Sequence, residues 1–427
     1  MPQQRVPGRT EEGHPPSTGP MPLCAPGSAA GSSQVATAVL LSVGYAIALF
    51  HRTAFLAIAP AIAVEFALTP AETADLSSAF FWTYLLVMIP TGLLADAMGA
   101  RRVALAGSLI TAAGAFLFRG ADSVIELTLA RVLVAAGAPA AFVGLMRFVA
   151  LTFPERKATY SGRGILVGNV GAVCSGAPLA LLLGVLAWRD VWIAAGTLSL
   201  GLAATLWVVG GIGRSAPTSV AMGDPWRELG TLLRSRSVML GVALQAGLAG
   251  AYYAFANVLA LRWLSARGFS AVESGWIISV LIAGYGLGAA LWGWIGDREH
   301  QRRRALLVAG LLALLGWVVL AWRPALGGLG VSLLFLAIGG ASGAFVLIYA
   351  LITERHPPGL SGGVIACVNC GIPLGAALLS NAIGRLSDAA APWALFAAGL
   401  VTVAGTCALL LDHRFRARAA AGASAPA

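Results

Sequence analysis

Three arginines in this sequence, Arg52, Arg131 and Arg147, fall inside long apolar runs. The guanidinium is a planar fork of donors that matches a carboxylate or sulfonate and keeps its charge at any working pH. Placed among apolar neighbours, such a group needs a buried acid, a route to polar surroundings, or an anion brought in from outside. The first apolar run centres near residue 48 or 49, so at about 1.5 Å per residue Arg52 lies roughly 5 Å from its middle. An arginine at that depth costs about 2.5–3.5 kcal/mol on insertion scales. Arg131 and Arg147 stand about 12 Å to either side of the middle of their run, toward the periplasm and the cytoplasm respectively.

The runs themselves define the class. Of 427 residues, 58% are hydrophobic and 11% charged, with a mean hydropathy of +0.82. Soluble domains carry about 25% charged residues, and a soluble interior cannot absorb this much apolar side chain. A spanning helix needs about 20 apolar residues. Twelve such runs are found, near 36–62, 75–95, 103–118, 125–152, 164–186, 192–212, 238–262, 274–296, 305–322, 331–352, 362–385 and 393–411. The expectation is an all-α polytopic membrane protein. Residues 1–34, rich in Pro, Gly and Ser, read as a disordered cytoplasmic terminus without the pattern of a cleaved signal. Two six-helix bundles follow, 35–212 and 238–411, joined by a polar linker at 213–237. A loose cytoplasmic tail closes the chain at 412–427.

The net charge of +10 on 28 basic residues is explained by orientation and needs no nucleic acid. Outside the runs, Arg119, Arg189, Arg262, Arg267, Arg323 and Arg385 fall on one side, and the remaining nineteen fall on the other. By the positive-inside rule both termini are cytoplasmic, as an even number of spans requires, and the inner membrane is the expected location. The acids follow the same geography. Glu65, Glu72, Asp75, Asp122, Glu126, Asp190, Glu273 and Asp388 are expected at or beyond the periplasmic ends and the rest on the cytoplasmic side, so none answers Arg52 at its depth. The central cavity should be electropositive, with Arg52 binding an anion. For Arg131 two readings stand level: a second arm of an anion clamp, or a structural arginine. Arg147 is expected to reach the cytoplasmic headgroups by snorkelling.

The chain also repeats itself. Gly92-Leu-Leu-Ala-Asp96-Ala-Met-Gly99-Ala-Arg101-Arg102 follows the second run, and Gly293-Trp-Ile-Gly-Asp297 with Arg302 at the matching offset follows the eighth. Gly permits close helix approach. Asp96 is expected to cap the helix that follows it, and the arginines to pair with carboxylates of the opposite half, forming a cytoplasmic latch. Cys367-Val-Asn-Cys370 has redox spacing but no His or acid nearby, so packing is the expectation. No cofactor or metal is expected, and no HExxH cluster or soluble catalytic domain suggests an enzyme.

Twelve spans in two halves, with Gly92–Arg102 between the second and third, resemble the major facilitator superfamily of secondary transporters. Arg131 with Gly137, the Gly171–Gly176 stretch with Pro178, and Trp188-Arg189 agree with that family. The resemblance implies two bundles rocking about a midplane site, with spans 1, 4, 7 and 10 lining the cavity. His51-Arg52, Pro60, Ser77–Tyr84 and Pro90 further resemble the anion–cation symporter branch, in which arginines on spans 1 and 4 contact an organic anion; these match Arg52 and Arg131. Two acids common in that branch are replaced here, by His51 and by Ala138. His51 titrates near physiological pH and so becomes a candidate proton carrier. Tyr45, Tyr252, Tyr253, Asn257 and Tyr349 are the further candidates for the site, with Phe80, Phe81, Tyr84 and Asn369 able to shape it. The expected function is uptake of a small organic anion by symport with a proton or sodium, by a monomer in the bilayer. Proton-coupled efflux of a drug or metabolite, and a non-transporting membrane sensor, are the alternatives.

Overall fold

The structure is a computed structural model that describes residues 32–209, 225–298, 301–322, 325–386 and 390–423. Most of the expected disordered terminus and residues 213–224 of the expected linker lie outside these. The described residues are helical throughout, without strands. Spans 1 to 4 are the helices Ser32–Glu65, Pro70–Met98, Ala100–Arg119 and Val124–Thr152. Span 5 is Lys157–Cys174 continued by Ala177–Leu182, and span 6 is Trp188–Val209. A short helix, Pro225–Arg234, leads into the second half. Span 7 runs from Arg236 to Ser265, and spans 8 and 9 are Ala271–Arg298 and Arg302–Trp322. Span 10 is Gly328–Ser342 with Phe345–Thr353, span 11 is Ser361–Asn369 with Gly371–Arg385, and span 12 is Ala391–Ala423.

Eleven of these are long and apolar enough to cross a membrane. Span 5 falls short because it is broken at Ser175–Gly176, where Pro178 opens the next piece and cannot continue the ladder. The Gly176 and Pro178 of the family motif are thus a helix break. Ser175 Oγ bonds Thr53 Oγ1 there at 2.5 Å, fixing the break against span 1 beside Arg52. Span 12 differs from expectation at its end: its helix continues past Asp412 to Ala423, through Ala and Arg, which are strong helix formers.

Large apolar side chains line the outside of the bundle. Trp82, Leu86, Leu181, Trp207, Trp276 and Trp322 are each more than 60% exposed, as lipid-facing positions must be. Inside, small residues let backbones touch. Gly171 of span 5 lies on the Ala46 carbonyl of span 1. The same device joins the halves. Gly162 and Ala158 of span 5 meet Ala289 and Gly293 of span 8, and Gly92 of span 2 meets Gly362 and Ala366 of span 11. Both junctions lie toward the face that carries the two Gly-Asp-Arg loops, called here the motif face.

On the far face Glu65 is gripped by Arg189 and by Trp188 Nε1 at 2.7 Å. The hydrogen bond from Arg189 holds the Glu65 carboxyl below the ordinary carboxylate range. The same guanidinium bonds the Arg119 and Ala121 carbonyls at 3.2 and 3.1 Å. The Trp188-Arg189 pair therefore ties the end of span 1 to the turn after span 3.

Candidate functional site

The Gly-Asp-Arg repeat builds two reciprocal latches. Asp96 stands in the last turn of span 2 and accepts from the Gly362 and Gly363 amides at 2.8 and 2.7 Å. These open span 11, so Asp96 caps a helix of the opposite half. The expectation that it caps span 3 is corrected: Gly99, the residue before that helix, makes no side-chain cap. Arg147 Nε donates to Asp96 Oδ1 at 2.8 Å, and Arg147 is 4% exposed. It does not snorkel. A buried acid at its own depth was available from the neighbouring helix, and pairing within the bundle replaces the headgroups.

Asp297 repeats the arrangement. It accepts from the Thr159 amide at 2.5 Å, in the first turn of span 5, and from Arg302 Nε at 2.7 Å. Arg302 also binds Glu354 and donates to the Glu155 carbonyl at 2.9 Å. Its carboxylate partners thus belong to its own half, contrary to expectation, and it crosses to the other half through a backbone oxygen. A carboxylate pair that does cross, among the described residues, is Lys157–Glu354, at 3.1 Å. Arg102 is exposed and Arg101 half-buried.

Beyond this closed face, near the middle of the bundle, lies a cavity of about 250 Å³. Span 1 contributes Tyr45 and Arg52, span 2 Phe81 and Tyr84, and span 4 Phe142. From the second half come Tyr253 and Asn257 of span 7, Tyr285 of span 8 and Phe345 of span 10. Span 11 adds Asn369, Ile372, Pro373, Ala376, Ala377 and Ser380. Two π-helical turns, Ala246–Gly250 and Phe255–Leu259, interrupt span 7 on either side of Tyr253, a distortion often found at functional sites. The Arg52 guanidinium sits 5.5 Å from the Phe81 ring and 5.3 Å from Tyr253, at cation–π distance from both. Among the described residues, no carboxylate lines the cavity.

Of the eight expected binding residues, four share this cavity: Tyr45, Arg52, Tyr253 and Asn257. The other four stand outside its lining. Tyr349 lies behind it, bonded to Asn369 and packed on Phe142 at 5.5 Å. Tyr252 is 3% exposed and stacks on Tyr285 at 4.2 Å. His51 is turned toward span 6, where Nε2 bonds Ser199 Oγ at 3.0 Å and the ring packs on Trp192 at 5.3 Å. One residue along a helix is about 100° of rotation, so Arg52 and His51 cannot both face the cavity. Arg131 is 1% exposed, with its guanidinium 4.3 Å from Phe55 and 4.9 Å from Phe80. Its Nε and Nη1 have no hydrogen-bond partner. Phe80 in turn stacks on Tyr84 of the lining at 6.0 Å.

Spans 1, 4, 7 and 10 line the cavity as the resemblance implied, and spans 2, 8 and 11 line it with them. Tyr285 could have been suspected from sequence, as a tyrosine near the middle of an apolar run. Ile372, Pro373, Ala376 and Ala377 carry no signal of their own.

Known proteins place this architecture. The profile of the Major Facilitator Superfamily matches residues 41–369 and, in a second match, 245–426. The chain belongs to the major facilitator superfamily of transporters. It is 25% identical over 356 residues to the Probable galactarate/D-glucarate transporter GudP of Escherichia coli K12, covering 71% of this chain and 76% of that one. Inositol transporter 4 of Arabidopsis thaliana is 29% identical over 167 residues, 37% of this chain and 27% of that protein. Among solved structures, the transporter FucP in the outward conformation superposes with a TM-score of 0.70 at 18% identity, over 88% of this chain and 98% of that one.

His51→Gln should leave the pH dependence of transport intact, because the ring is 0% exposed and engaged with Ser199. Uptake measured between about pH 5.5 and 8, across the ordinary histidine range, checks this. A pH profile that flattens in the variant would restore His51 as proton carrier.

Proposed function

We propose that this transporter takes up a small organic anion, a carboxylate, across the inner membrane. The motif face, with both termini, is then cytoplasmic. The observation that carries this reading is Arg52: a fixed cation on the wall of a central cavity with no carboxylate among the described residues of its lining. An arginine so placed is offset by ligand charge when an anion binds. The likeness to GudP, whose name specifies two sugar diacids, supports an anion as the cargo. The protein acts as a monomer in the bilayer. The two halves rock about the cavity, with a proton or sodium ion as the coupling ion. The latched motif face and the cavity beyond it fit the outward-facing stage of that cycle.

The test is uptake by proteoliposomes of a panel of labelled carboxylates, each beside its neutral amide. Concentrative, gradient-driven uptake of at least one carboxylate and none of its amide is the expected result. Equal handling of acid and amide would refute the anion reading, and passive equilibration of every compound would refute transport.

A further inference from the structure

The cavity carries more information than its sign. Among the described residues, Arg52 is the one charged residue in its lining. The other arginine of this region, Arg131, is 1% exposed, packs on Phe55 and Phe80, and is not part of the lining. A ligand with two carboxylates would therefore seat one on Arg52 and press the second against aromatic rings, whose faces are negative. Among the described residues, no second cation is within the lining to meet it.

The walls restrict the ligand body. Span 11 presents Ile372, Pro373, Ala376 and Ala377, which offer the cavity only carbon surface. Phe142 and Phe345 continue that surface from spans 4 and 10. Hydroxyls laid against that carbon surface would lose their water without gaining partners there, and unpaired polar groups are costly to bury. The polar groups of the lining, Tyr45, Tyr84, Tyr253, Asn257 and Ser380, stand elsewhere on the wall. One of the polar lining groups, Asn369, is already engaged. Asn369 accepts from the Tyr349 hydroxyl, and its Nδ2 lies 3.9 Å from Met88 Sδ. Tyr285 is held flat between Tyr252 at 4.2 Å and Phe345 at 4.9 Å, nearly parallel to both. The stack leaves broad ring surfaces about a slot of 250 Å³, below the range of about 300–1,000 Å³ usual for drug-sized ligands.

We propose that the ligand is a monoanion with a flat apolar body, an aromatic monocarboxylate, held by its carboxylate on Arg52 and by its ring among the aromatic and span-11 side chains. This rests on the anion reading of the same site. It departs from the diacids in the name of the relative GudP, and the missing second cation is the reason.

Binding tests this better than uptake, because protonated aromatic acids cross lipid unaided. The purified full-length protein in nanodiscs is titrated with phenylacetate, gluconate, D-glucarate and benzyl alcohol. Calorimetry and thermal stabilisation serve as readouts. These four separate charge number from body type. The expected result is phenylacetate binding at least about tenfold tighter than the other three, lost in Arg52→Gln and weakened in Arg52→Lys. Both variants should melt as cooperatively as the parent. Gluconate or D-glucarate binding as tightly as phenylacetate, and depending on Arg52, would overturn the aromatic monoanion while leaving the anion reading intact. Phenylacetate binding that is indifferent to both Arg52 variants, or equalled by benzyl alcohol, would bring down both. Silence from all four at about 10 mM, beyond the millimolar end of specific affinity, would also overturn the inference, and the carboxylate–amide panel would then judge the anion reading by itself.

Discussion

Arg52→Gln should reduce anion uptake by about 100-fold, with expression and melting behaviour unchanged. Glutamine keeps a polar side chain of similar reach but removes the charge. A hydrogen bond to a charged group is worth about 1.5–3 kcal/mol, or roughly 10- to 150-fold, and a guanidinium can offer two in parallel. The protein without ligand loses less. The contacts of Arg52 with Phe81 and Tyr253 contribute about 0.5–1 kcal/mol each where partly exposed. Removing an unpaired cation from a cavity relieves a desolvation cost of its own. The variant should therefore be as stable as the parent and fail at binding. Arg52→Lys should fall between, because it keeps the charge and loses the planar fork. Initial rates in proteoliposomes over a substrate series separate the cases. A loss confined to half-saturation indicates ground-state binding, and unchanged rates in both variants would remove Arg52 from the site.

Asp96→Asn should disable the transporter by a different route, unlatching the motif face. Asp96 holds Arg147 and two amides of span 11 with one carboxylate. Neutralising it leaves Arg147, 4% exposed, as a buried unpaired cation in the closed state. Breaking a buried pair from one side costs about 3–5 kcal/mol, and about 3 kcal/mol already shifts a two-state equilibrium more than 100-fold. The open state escapes this cost, since there Arg147 can reach water. A cysteine at Ala366, which packs on Gly92 at the junction and is 0% exposed, reports the shift. In a background without native cysteines, Ala366→Cys should react slowly with an impermeant maleimide applied to the motif face. The rate should rise by at least an order of magnitude when Asp96→Asn is added. An unchanged rate would mean that the latch does not govern closure.

How much of this was legible in sequence depends on the distance over which each contact acts. The spans were readable because hydropathy is local, and the repeat because its spacing is local. The partners of Asp96 were not readable. Gly362 and Gly363 lie more than 260 positions away, and nothing near Asp96 distinguishes a cap on the next helix from a cap on another. Arg147 was misjudged for the same reason: its depth was evident, but the acid at that depth sits on another helix. The cavity was half legible. Arg52 declared itself by charge and depth, whereas His51, beside it in sequence, is turned away by the helical rotation. Span 11 signalled through Asn369, while the rest of its wall stayed silent because alanine, proline and isoleucine line a pocket and fill a membrane with the same letters.

The two latches have one more consequence. Asp96 of span 2 caps span 11, and Asp297 of span 8 caps span 5. The two caps run in opposite directions between equivalent helices. That reciprocity, in which element i touches j while j touches i, is the signature of an isologous twofold interface between identical subunits. A single chain that obeys it is organised as a dimer whose protomers have become covalently continuous. On that view the differences between the latches mark where the copies have specialised. A cation from span 4 completes one of them, and Arg302 with Glu354 completes the other.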